Sequence, residues 1–151
     1  MKKQLSILTA FFAMSLFILS SCSSKDDPTP APKTKTQLVT QSSWKATSAT
    51  VSGTAYPLPA CVTDNIYVFT TAGTGTINES TVVCAGAAAG TTPFTWSFQA
   101  GETSIQLSAP LISGGLNSIT IISLTETELV VSFPYSPGPG VTVTIVVTFQ
   151  H

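Results

Sequence analysis

Val141-Thr142-Val143-Thr144-Ile145-Val146-Val147-Thr148-Phe149 alternates apolar and hydroxyl-bearing side chains almost without interruption. That is the period of a half-buried β-strand. Val141, Val143, Ile145, Val147 and Phe149 share one face, and Thr142, Thr144, Val146 and Thr148 share the other. The first face is strongly apolar. The second is only mildly polar, because it carries Thr and Val where an open sheet would carry Lys and Glu. Such a strand suits a closed barrel or a sandwich better than an open sheet.

Working outward, the same alternation recurs at Phe94-Thr95-Trp96-Ser97-Phe98, and strands are expected near 43–52, 65–71, 74–82, 93–99, 103–108, 116–123, 127–134 and 140–150. Turn compositions separate them: Ala72-Gly73, Ala100-Gly101, Gly114-Gly115 and Ser136-Pro137-Gly138-Pro139-Gly140. Short connections favour antiparallel neighbours in a meander. The expected fold is therefore all-β, an eight-stranded antiparallel up-and-down barrel, with a β-sandwich of immunoglobulin type as the alternative. Before the first strand, residues 36–42 can make one helical turn. Eight strands close around side chains or around one small ligand.

Composition narrows the function. From Gln37 onward the chain has one lysine, Lys45, no arginine, and the acids Asp64, Glu79, Glu102, Glu126 and Glu128. An acidic surface without arginine lacks the phosphate contacts that give nucleic-acid affinity, so nucleic acid is excluded as a partner. Val, Ile and Thr are abundant and charges are sparse, which favours strands and excludes a disordered chain.

The N-terminus reads as an export signal. Lys2 and Lys3 precede an apolar run from Leu5 to Leu19, which ends in Ser20-Ser21-Cys22. The run is short of the roughly 20 residues that cross a bilayer, and it has the charged and apolar regions of a secretory signal. Small residues before a cysteine make a lipobox, in which the Cys22 thiol is thioether-linked to a diacylglycerol. The chain then divides into a signal peptide (1–21), the lipidated cysteine with a flexible Pro/Thr-rich tether (22–36), and one folded domain (37–151). Membrane attachment runs through the acyl chains. Lipidation of Cys22 uses one of three cysteines and leaves Cys61 and Cys84, which in an oxidising compartment pair as a disulfide worth roughly 3 kcal/mol.

Two resemblances follow. Lys25-Asp26-Asp27, close behind Cys22, resembles the charged signal that sends lipoproteins of the Bacteroidota to the outer face of the outer membrane; a periplasm-facing position is the alternative. The ordered blocks Trp44-Lys45, Cys61-Val62-Thr63-Asp64-Asn65-Ile66-Tyr67-Val68-Phe69 with Gly73, Cys84, Thr95-Trp96-Ser97-Phe98, Ile119 to Val131, and Val143 to Phe149 resemble the lipocalin-like lipoprotein domains of the Bacteroidota. The resemblance covers Leu38 to Gln150. It implies a barrel whose mouth admits an apolar ligand and whose floor is plugged by Trp44. Ser42-Ser43-Trp44 departs from the Gly-x-Trp that opens a typical member.

Catalytic constellations are nearly absent. His151 is the one histidine, expected at a frayed end, so neither a Ser-His-Asp nor a Cys-His pair can form. Glu126 and Glu128 read as solvated edge charges, and Asp64 with Asn65 as turn or capping residues. Asn78-Glu79-Ser80 matches a glycosylation sequon without consequence in a bacterial-type lipoprotein. No enzyme, cofactor or metal is expected. The aromatics remain: Trp96, Phe69 and Phe94 as walls of a candidate cavity, with Tyr67 or Tyr135 offering a hydroxyl near the mouth. The expected function is binding of a small apolar or amphipathic ligand at the outer-membrane surface. The alternative is a non-catalytic interaction or structural subunit of a cell-envelope complex, including an inhibitor of a hydrolase, working through loops 53–64 and 84–92. Oligomeric state is left open.

Overall fold

The computed structural model describes residues 31–151. The signal peptide, Cys22 and Lys25-Asp26-Asp27 lie outside the described residues. Pro32–His151 forms one compact unit.

The unit opens on α1 (Lys35–Thr40). A capping box starts it: Thr34 Oγ1 accepts from the Gln37 N–H, and Gln37 Oε1 accepts from the Thr34 N–H. The helix therefore starts just inside the stretch expected to be tether. Nine antiparallel strands follow, with one further short helix: β1 (Lys45–Val51), β2 (Thr54–Ala55), α2 (Ala60–Thr63), β3 (Ile66–Phe69), β4 (Thr74–Glu79), β5 (Gly90–Gln99), β6 (Ser104–Leu107), β7 (Ser118–Leu124), β8 (Glu128–Gly138) and β9 (Val141–Gln150). Each of the eight expected strands has its counterpart. The ninth, β2, is a two-residue ribbon on the end of β1, within the segment expected to be loop. β8 also runs further than expected, through Ser136 and Pro137. A register shift between Tyr135 and Gly138 lets the strand absorb a proline that has no N–H to pair.

The strands form one continuous sheet in the order β2-β1-β9-β8-β7-β6-β5-β4-β3. A single sheet excludes the two stacked layers of the sandwich. Its flanks meet where Trp44 and Tyr67 exchange backbone hydrogen bonds of 2.8 and 2.9 Å. Followed round from Trp44 through β9, β8 and on to β3, the paired register climbs by roughly twelve residues before it reaches Tyr67, the stagger that tilted strands need in order to close.

In a meander the β3–β4, β5–β6 and β7–β8 turns share one end. α1 lies across that end. The Lys35 ammonium donates to the Glu102 carbonyl, Gln41 Nε2 donates to the Glu126 carbonyl, and Val39 is fully buried beneath them. Trp44 Nε1 donates to the Val39 carbonyl at 2.8 Å, which locks the helix to the start of β1. The indole is fully buried, as a floor plug must be. His151 is not the frayed end that the sequence suggested. Its ring lies 4.2 Å from Trp44, and its nitrogens sit 2.5 and 3.3 Å from the carbonyl oxygens of Glu126 and Ser43.

Candidate functional site

Alternation places the inward side chains, and most of them are apolar: Phe69 on β3, Ile77 on β4, Phe94 and Trp96 on β5, Ile105 and Leu107 on β6, and Leu129, Val131 and Phe133 on β8 belong to one buried cluster. Within it the three expected wall residues come together. Phe69 meets Phe94 edge to face at 5.3 Å and Trp96 at 5.5 Å, and Trp96 meets Phe98 at 5.3 Å. Such edge-to-face pairs are each worth about 1 kcal/mol beyond the area they bury.

Trp96 Nε1 donates to the Thr74 carbonyl at 3.0 Å, tying β5 to the start of β4. Gly75 lies beside that contact with the Phe94 ring packed over it, because no side chain stands in the way. Around this point the structure has an open cleft of about 460 Å³, lined by Thr70, Thr74, Gly75, Thr76, Pro93, Phe94, Thr95 and Ser108. The lining carries no charge. Thr74, Thr76, Pro93 and Thr95 alternate with the buried Gly75, Ile77, Phe94 and Trp96, so the cleft opens on the outer side of the β4–β5 pair. Of the expected site residues, Phe94 lines it, while Phe69 and Trp96 back that wall.

The two tyrosines are elsewhere. Tyr67, expected near the mouth, is fully buried and meets Phe149 edge to face at 5.2 Å. Burial pushes its hydroxyl up, so it stays neutral and able to donate. Tyr135 is half-buried against Tyr56, with ring centroids 5.8 Å apart. Burial and then the Tyr56 hydroxyl raise its pKa. Neither tyrosine joins Phe94 in the cleft.

Cys61 and Cys84 form the expected disulfide, pinning α2 to the β4–β5 connection. Asp64, which ends α2, acts as a cap on that same connection: Oδ2 accepts from the Thr81 N–H, the Thr81 hydroxyl and the Val82 N–H at 2.9 to 3.0 Å. The Val82 N–H, followed by the Thr81 hydroxyl, holds the carboxyl below its usual range. Sequence reading missed Asn65 and Glu79, the buried polar residues among those described. At inward positions of a barrel they were disguised as a turn residue and a surface acid. Among the described residues no three His, Cys, Asp or Glu side chains converge.

A meander sheet whose ends meet through a staggered register, floored by a tryptophan and a short N-terminal helix, defines a small single-sheet barrel protein. The chain belongs to the lipocalin-like domain family, whose model matches residues 42–131. The match stops inside β8, and β9 completes the sheet. No curated protein matches the chain. Barrels of this kind can hold one small apolar ligand.

Proposed function

We propose that this protein is a lipid-anchored, non-catalytic binding module that holds a small, uncharged, apolar or amphipathic molecule, and that Cys22 carries the anchor. The observation that supports the binding reading is the cleft of about 460 Å³ with no charged side chain in its lining and an aromatic wall of Phe94 backed by Trp96 and Phe69. Its size falls within the range of small-molecule sites. Threonine and serine hydroxyls at its margin can orient a polar group on an otherwise apolar body. The reading of Cys22, with Lys25-Asp26-Asp27 behind it, supports a position on the outer face of the outer membrane.

The two tryptophans make the test direct. Trp44→Phe leaves Trp96 as the lone indole, behind the cleft wall. Titrating this variant with fatty alcohols, fatty acids and sterols is expected to change Trp96 emission saturably for at least one class, and Phe94→Ala to weaken that response. A panel that leaves Trp96 emission unmoved overturns the ligand reading. The interaction-subunit reading would then lead, because Val82, Val83 and Leu116 are exposed on the β4–β5 and β6–β7 connections and Val141 at the start of β9, at the end opposite α1.

A further inference from the structure

Beneath α2 and the Cys61–Cys84 bridge, polar atoms enter an otherwise apolar core. Asn65 Nδ2 donates to Glu79 Oε1 at 2.8 Å, and the Cys84 N–H donates to Glu79 Oε2 at 3.0 Å. The first contact settles the orientation of the amide. With Nδ2 committed to a carboxylate, Oδ1 is the atom left over. That oxygen has no partner. Neither has Tyr67 Oη nor Asp64 Oδ1, and all three are shut off from solvent. Asn65 is 2% exposed and Tyr67 0%. The Tyr67 hydroxyl faces the Asn65 amide without reaching hydrogen-bond geometry, and it feels the negative charge of Glu79 and then of Asp64.

Charge balance sharpens the point. Glu79 is 9% exposed, and its two donors are neutral. Among the described residues the ion pair is Lys33–Glu126, beside α1, and Lys45 is the one lysine from Gln37 onward. Buried carboxylates are otherwise found paired with a cation or coordinating a metal. Asp64 is only partly buried as a residue, but its Oδ2 is saturated by three donors, which leaves Oδ1 as its free oxygen.

We infer that Asp64 Oδ1, Asn65 Oδ1 and the Glu79 carboxylate form a site for a hard divalent cation, calcium by preference, in the corner between α2, β3 and β4. Carboxylate and amide oxygens are the donors calcium takes. The softer ligands are missing, since Cys61 and Cys84 are committed to their disulfide. Calcium tolerates an irregular oxygen cage, whereas magnesium demands a near-ideal octahedron and keeps its waters. Tyr67, beside this set, is not one of its ligands. With two charges in the set, affinity falls near that of extracellular modules, about 10⁻⁴ to 10⁻³ M. A bound ion would join the end of α2 to the end of β4, in the same corner as the disulfide. This site is independent of the ligand cleft.

The test uses the wild-type protein. Calcium raised to about 10 mM is expected to lift the thermal midpoint by about 5 °C, with magnesium giving less. Terbium, standing in for calcium, is expected to show emission sensitised through tyrosine that calcium competes away and that drops sharply in Tyr67→Phe, which keeps the ligand set. Asp64→Asn and Asn65→Leu, checked for native near-UV circular dichroism, are expected to lose the thermal response. Wild-type protein with neither a shift nor sensitised emission overturns the site. So does emission unchanged in Tyr67→Phe, or a thermal response that survives both other substitutions, because the ion would then be bound elsewhere.

Discussion

At Gly75 a Cβ would lie 2.3 Å from Phe94 Cζ and 2.5 Å from the Val68 carbonyl oxygen. The ring could swing away, but the carbonyl is backbone and is held in the β3–β4 ladder. Gly75→Ala is therefore expected to cost about 2 kcal/mol, read as a lowered urea midpoint with an unchanged slope. Because Phe94 must move to admit the methyl, the same change should loosen the cleft wall and weaken any ligand response more than the stability loss accounts for. At this scale the sequence was partly legible. Phe69, Phe94 and Trp96 could be grouped because alternation reports the face on which a side chain stands. Gly75 could not be singled out, since periodicity says nothing about which ring crosses which backbone. Asn65 and Glu79 stayed hidden for another reason: a polar residue at an inward position looks like surface until its partners, fourteen and five residues away, are seen beside it.

Among the elements, the strands were readable and α2 was not. Strand positions follow from a two-residue period that the Val/Thr composition displays in the open. By contrast α2 is four residues long and has no side-chain cap, too short to form on local propensity. Tertiary contacts hold it instead: Val62 is buried, Cys61 is bonded to Cys84, and Asp64 caps Thr81 and Val82. Replacing both cysteines by serine is expected to cost about 3 kcal/mol, the loop-closure value for this spacing. Amide exchange mapped in the variant should show the loss concentrated in α2 and the β4–β5 connection, with β7 to β9 keeping their protection. Uniform loss of protection across the sheet would mean that the disulfide holds the whole barrel together and not this corner alone.

For the whole molecule, what matters is how little closes the ring. β8 and β9 pair along most of their length, whereas β1 and β3 meet through Trp44 and Tyr67 alone. The two hydrogen bonds of that bridge cannot hold the flanks of a twisted sheet by themselves, since a net backbone hydrogen bond contributes only about 1 kcal/mol. Closure therefore rests on what packs around the bridge. The Trp44 indole is fully buried, bonded to the Val39 carbonyl and covered by His151, and Tyr67 is wedged against Phe149. Removing the indole takes away the plug, the tie to α1 and the support of the bridge together. Trp44→Ala is expected to cost about 4 kcal/mol, the upper range for a buried aromatic. The damage should also have a direction: amide protection should fall first in α1, at the start of β1 and in β3, the elements that meet at the seam, while the β5–β9 sheet opens only with global unfolding. Trp44→Phe keeps the ring and loses the donor, so it should cost about 1 to 2 kcal/mol and leave the seam shut. Equal protection losses at the seam in the two variants would shift the cause from the plug to the single hydrogen bond between Trp44 Nε1 and Val39.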